Sequence, residues 1–171
     1  MPLDAAALDE ATAHYARPRE SEAARSASML VFRIGPEWLA LSTTVLDQIA
    51  AVQRVHSLPH RRGGTAAGLV NVGGDLVVHV SLAGLLHIVP AGTSGTQPRL
   101  VVLRDARGPL ATTVDEVWGI HHFDERALQA IPHGFSRAGP LFTVALLQVG
   151  DHSAGCLDAP RVMEALSMGL T

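Results

Sequence analysis

From Leu69 to Leu86 the alternation of apolar and polar positions spells out one structural unit. The mostly apolar run Leu69 to Val72 stops at Gly73-Gly74-Asp75, a turn signal in which glycine takes positive φ without a Cβ clash. Leu76, Val78, Val80 and Leu82 then fall on one side and Val77, His79 and Ser81 on the other, the period of a strand. Ser81 can cap a short helix beginning at Leu82. The same grammar returns later in the chain. Leu146 to Val149 meets Gly150-Asp151, Ser153 to Leu157 follows, and Asp158 stands where Ser81 stood, 77 positions on. Val162-Met163 matches Leu85-Leu86. The pattern predicts two copies of a small β-unit, each finished by a helix.

Around these copies the punctuation is regular. Leu30 to Ile34 reads as a strand, Gly35-Pro36-Glu37 as a turn, and Trp38 to Leu41 as the returning strand. Thr43 or Thr44 is placed to cap a short helical segment carrying Val45, Leu46 and Ile49, and Val52 to Val55 reads as another strand. Loops are expected after Leu58-Pro59, across Pro90 to Pro98, and around Pro132 to Pro140. Arg99 to Arg104 resembles a strand buried on both faces. It turns at Asp105 to Pro109 into Leu110 to Val114, and Val114 to Ile120 follows as an extended segment. Ala159 to Leu170 places Val162, Met163, Leu166 and Leu170 on one helical face. Short strands, Gly/Pro turns and brief helices predict a mainly β protein of small barrels.

The first 28 residues differ. Asp4 can cap a short helix reaching Ala16, Pro18 ends it, and a polar, small-residue stretch follows. We expect residues 1–28 to be a flexible extension and the globular domain to occupy 29–170.

Composition narrows the function. A chain of 171 residues with 47% apolar and 17% charged positions is long enough for an aliphatic core without a metal or disulfide. The net charge of −3 and the lack of a basic stripe argue against nucleic acid. Cys156, the single cysteine, sits in an apolar strand pattern and reads as a small buried hydrophobe in a reducing compartment. No apolar run of about 18 residues suggests a membrane span, so a cytoplasmic protein without membrane insertion is expected.

Nor does the chain display catalytic chemistry. Pro59 separates His56 from His60, which argues against a helical ligand pair, and a lone cysteine excludes a Cys-pair zinc site. His121 and His122 alternate across a strand, so at most one faces any given ion. There is no nucleophile elbow and no phosphate-binding loop. Asp115 and Glu116 point to opposite sides of an extended chain and read as a turn or surface ion pair. No cofactor, metal or catalytic residue is expected. What remains is binding: Trp38 reads as a core anchor, while Leu46 and Ile49 either line a groove or complete the core.

Several of these segments together resemble CheW, the coupling protein of bacterial chemosensory arrays. The resemblance is carried by Leu30 to Gly35 with Trp38 to Leu41, by Val45-Leu-Asp-Gln-Ile49, by Leu58-Pro59, by Gly68 to Gly74, and by Val114-Asp-Glu-Val117. It covers residues from about Met29 to Leu170, and its specificity lies in the order and spacing of motifs that are individually weak. It implies two intertwined five-stranded SH3-like barrels with short helices and a C-terminal helix. It also implies a non-enzymatic adaptor between the cytoplasmic tip of a methyl-accepting receptor and the regulatory domain of a CheA-type histidine kinase. The positions matching the family's receptor groove, between the barrels, are Leu46, Gln48, Ile49, Gly68, Asn71 and Gly73.

This chain departs from the family pattern at four positions. Gly73 stands where an arginine is common, removing a fork of donors able to pair bidentately with a carboxylate. Gln48 replaces a glutamate. Ser81 and Ala111 replace a frequent Asp and Gly. The first two changes predict receptor contacts resting more on apolar packing than on ion pairs. Val80-Ser-Leu82 and Val114 to Phe123 look closest to members of surface-sensing, Wsp-type pathways, whose kinase drives a diguanylate cyclase. A third reading is a small β-barrel enzyme or ligand carrier, which needs convergent polar groups in a closed pocket.

Overall fold

In a computed structural model, which describes residues 26–58, 65–90, 96–132 and 141–170, ten strands form two five-stranded sheets. The strands are β1 (Ser26–Ile34), β2 (Glu37–Ser42), β3 (Leu46–Ala51), β4 (Ala66–Val72), β5 (Asp75–Val80), β6 (Arg99–Asp105), β7 (Gly108–Val114), β8 (Glu116–Asp124), β9 (Thr143–Val149) and β10 (His152–Leu157). Two helices, α1 (Leu82–Leu86) and α2 (Ala159–Met168), follow β5 and β10. The expected N-terminal extension lies outside the described residues up to Ser26, where β1 begins. Most of the three expected loops also lies outside them.

The strand orders are β8-β1-β2-β10-β9 and β3-β6-β7-β5-β4. The second sheet is built from a continuous stretch inserted between β2 and β8, so the halves interlock through chain connectivity. Each sheet contains one parallel pairing, β2 with β10 and β7 with β5. Each also curls until its edges meet at a single bridge, Gln129 with Leu146 in the first and His56 with Leu69 in the second.

The internal echo is structural. β4 and β9, and β5 and β10, have the same bounds when shifted by the 77 residues that separate Ser81 from Asp158. Ser81 Oγ accepts from the Gly84 N–H at 2.9 Å and Asp158 Oδ1 from the Arg161 N–H at 3.2 Å, so both helices carry the same N-cap. The backbone N–H of each cap residue donates to a matching carbonyl, Thr65 for Ser81 and Phe142 for Asp158.

Strand alternation builds three cores. Leu30, Phe32, Leu39 and Leu41 from the first sheet meet Val80, Val101, Leu103 and Leu110 from the second, and α1 and α2 add Leu86, Met163 and Leu166 to this shared core. The opposite faces fill the interiors of the units: Val31, Ala40, Leu147, Val149 and Cys156 in the first, Val70, Val72, Val77, Leu100 and Val102 in the second. Central strands are thus covered on both sides, which explains the continuous apolar centre of β6.

Two expectations around residue 50 are corrected. After a 3-10 turn at Thr43–Val45, capped by Ser42, the chain forms strand β3 instead of a helix through Leu46 and Ile49. Val45 and Ile49 are β-branched and stiff at χ1, and the β6 ladder offers partners from Leu46↔Leu103 to Ala51↔Arg99. The strand expected at Val52 to Val55 is absent because that ladder runs out where β6 begins, just after Pro98, which has no N–H to donate.

Candidate functional site

The six residues matching the family's groove divide between the two edges of the second sheet. Leu46, Gln48 and Ile49 lie on β3; Gly68 and Asn71 lie on β4, and Gly73 lies in the turn after it. The His56–Leu69 bridge, with both N–H···O distances at 2.8 Å, draws these edges together.

Sequence reasoning left Leu46 and Ile49 open between groove and core, and the structure separates them. Leu46, opposite Leu103, is half-buried against the shared core. Ile49, opposite Val101, points to the same face but is 38% exposed at the margin of that core. Asn71 pairs with Leu76 on the corresponding outer face of the β4–β5 hairpin, and Leu76 is 67% exposed. The space between the units is therefore packed, with an aliphatic rim left open beside it. Gln48, opposite Val102, lies on the other face of β3 and is exposed, beside the open end of its own unit.

The two glycines are explained by backbone geometry. A Cβ on Gly68 would lie 2.2 Å from the His56 carbonyl oxygen, so only glycine admits the edge-closing bridge. Gly73 and Gly74, at φ 61° and 100°, form a two-residue turn that matches the right-handed twist of β4 and β5. Asn71 supports it: its Oδ1 accepts from the Gly74 N–H at 2.9 Å. The side chain missing at Gly73 would have had open space, with nothing within 4 Å of a Cβ there.

One apolar position was missed by sequence reasoning. Ile120, opposite Leu30 on β8, lies on the shared-core face and is 52% exposed. The 77-residue repeat does not reach it; its equivalence to Ile49 shows only in the matching registers of the β3–β6 and β8–β1 pairings. Also on β8, Trp118 is 51% exposed and meets Trp38 edge-to-face at 5.4 Å; Trp38 stacks on His152 at 4.7 Å. Trp38 is thus half-buried, packed on the interior of the first unit as the anchor expected of it.

The polar candidates serve the fold. Glu116 pairs with Arg33 at 3.0 Å, and Asp115 Oδ2 accepts from the Gly35 N–H at 2.6 Å. Cys156 is buried, and burial pushes its thiol up to about 11. His79 is buried in the second unit, its Nε2 lies 2.9 Å from Thr113 Oγ1, and burial lowers its pKa. Among the described residues no three His, Cys, Asp or Glu side chains converge on a point, and no helix is long and apolar enough to cross a membrane.

The family model described as CheW-like domain matches residues 28–167. None of the curated proteins matches the chain. Among solved structures, the scaffolding protein TtCheW from Thermoanaerobacter tengcongensis is similar in fold, with a TM-score of 0.64 at 16% sequence identity. That match covers 77% of this chain and 88% of the other.

Proposed function

Since the chain belongs to the CheW-like domain family, whose match spans residues 28–167, we propose that it is a non-enzymatic adaptor. In this reading it couples the cytoplasmic tip of a methyl-accepting receptor to the regulatory domain of a CheA-type histidine kinase. It works on the cytoplasmic side of the membrane, beside receptor arrays.

The observation that supports it best is the open aliphatic rim. Ile49 and Leu76 are exposed on the outer face of a sheet whose neighbouring positions, Leu46 and Val78, are tied into the shared core. An apolar rim on a rigid support suits the side of a helical hairpin, which presents its own apolar residues at every third or fourth position. The seat comprises Leu46 and Ile49 as apolar contacts, Asn71 and Gly73 as the turn that shapes one wall, and Gly68 as the closure that holds the edges together. Gln48 contributes from the other face of β3.

The test is co-purification of the full chain with the receptor and kinase encoded beside it. Binding to both, lost in a folded Ile49→Asp variant for the receptor, agrees with the reading. Retention of receptor binding in that variant removes β3 from the seat.

A further inference from the structure

The two units follow one plan but are finished differently at one end. Strand register fixes the correspondence. Arg33 pairs with Trp38 across β1 and β2 as Arg104 pairs with Pro109 across β6 and β7. Trp118 is the extra residue of a bulge between Val117 and Gly119; Asp47 is the extra residue between Leu46 and Gln48. His152 opens β10 opposite Val149 as Asp75 opens β5 opposite Val72.

In the first unit these positions close the barrel end with rings. Trp38 stacks on His152, Trp118 meets both edge-on, and the Arg33 guanidinium lies 5.9 Å from the Trp38 ring centre. Beneath them lie Val31, Val149 and Ala154. In the second unit the same four places hold Arg104, Pro109, Asp47 and Asp75, none of them aromatic. A cavity of about 360 Å³ is left there, floored by Val72, Val77 and Val102, the counterparts of the three residues beneath the rings. Asp47 is engaged by Arg104 at 3.2 Å, whereas Asp75 is exposed and has no ion-pair partner among the described residues.

We infer that this open mouth is a binding site for a planar aromatic group carrying a positive charge. The molecule holds a filled version of the same site in its other half, and there the filling is indole and imidazole. The cavity has the size of a small-ligand pocket, with valines at its floor and a mostly polar open lining that includes Asp47, Gln48, Asp75 and Arg104. The Asp75 carboxylate at its rim, without an ion-pair partner among the described residues, stands where His152 stacks in the first unit, so the charge it selects is positive. The site does not depend on the adaptor reading. Its chemistry fits either a free aromatic amine or a tryptophan beside a lysine on another chain.

Titration of the 15N-labelled full chain, followed by amide shifts, separates these. Tryptamine, the peptide acetyl-Lys-Trp-Lys-amide and indole-3-acetate are the probes. The inference expects tryptamine or the peptide to shift residues 47–48, 75–77 and 104–109 with Kd on the order of 1 mM or tighter. Indole-3-acetate should bind at least about tenfold more weakly, since its charge is reversed. Tighter binding of tryptamine assigns the site to a free amine; tighter binding of the peptide assigns it to a partner's side chain. Asp75→His with Pro109→Trp, which copies the filled end, should abolish binding. Asp75→Lys, a change at an exposed position, should reverse the preference toward indole-3-acetate. The inference is overturned if neither cationic probe shifts the mouth at about 10 mM. It is equally overturned if indole-3-acetate binds as well as tryptamine, or if Asp75→Lys leaves the preference unchanged.

Discussion

Ile49 and Ile120 occupy the same position in the two halves of the molecule. Each lies on the edge strand that follows the other unit's hairpin, β1–β2 before β3 and β6–β7 before β8, opposite a residue of the shared core, Val101 for Ile49 and Leu30 for Ile120. Both remain exposed, at 38% and 52%. Large aliphatic side chains held open at matching places suit a scaffold that meets other proteins along its flanks.

Ile49→Asp should weaken binding of a receptor cytoplasmic fragment at least about tenfold, because it sets a carboxylate against an apolar contact. Ile120→Asp, in the other half, should weaken it less. Thermal unfolding of both variants should stay within a few degrees of the parent, since neither side chain belongs to a core. Calorimetric titration of the two variants side by side checks the ranking.

Salt should matter little to the receptor complex. Gly73 and Gln48 stand where charged residues are common in the resembled family, which leaves apolar contact as the main term. Raising ionic strength from about 0.05 to 0.5 M screens exposed charges but leaves apolar burial in place. The expected change in Kd is under about threefold; a fall of tenfold or more in pull-downs would show that ion pairs dominate.

The two glycines of the seat should respond differently to substitution. Gly68→Ala forces a Cβ to within 2.2 Å of the His56 carbonyl oxygen, a backbone atom that no side-chain rotation can move aside. Loss of about 3 kcal/mol is expected, with faster amide exchange at Leu69. Gly73→Arg meets open space and suffers only its left-handed backbone, so about 1 kcal/mol is expected. Urea unfolding of the two variants distinguishes a clash from a conformational preference.

His79 and Cys156 sit at equivalent interior positions, opposite Ala111 and Ala40 in the parallel ladders, and they bracket the pH range of stability. His79 has its pKa lowered from 6.5 by burial, so its charged form favours the unfolded chain. Stability is full above that value and should fall as pH drops below it. Cys156 is raised from 9.0 to about 11, so the folded chain prefers the neutral thiol. Stability is full below pH 9.0 and should be lost as pH rises toward about 11, by roughly 2–3 kcal/mol at most. Denaturation midpoints from pH 5 to 11 should trace this plateau, and Cys156→Ala should flatten its alkaline side.

Much of the fold was legible in the chain because local chemistry and global architecture agree. The Gly73-Gly74 and Gly150-Asp151 turns, the Ser81 and Asp158 caps and the alternating runs between them were all readable, and the 77-residue echo between the caps proved to be a repeat of structure. The failures came where tertiary pairing decided the outcome. Thr43 to Ile49 has a plausible cap and apolar spacing, yet β6 pulls Leu46 to Ala51 into a ladder. Of the candidate seat, Ile49 could be named from sequence, but its partial exposure could not, because that depends on how far the shared core extends. Ile120 and the filled barrel end were invisible for a different reason: both emerge only when the two halves are compared through strand register.

The central claim is that this chain joins two proteins, and size-exclusion chromatography with light scattering tests it most directly. A receptor cytoplasmic fragment and a kinase regulatory domain are each labelled and run with and without the full chain. The account predicts a ternary complex that forms only when the chain is present and is lost for the receptor with Ile49→Asp. Elution of the chain with neither partner, or with one to the exclusion of the other, would contradict it.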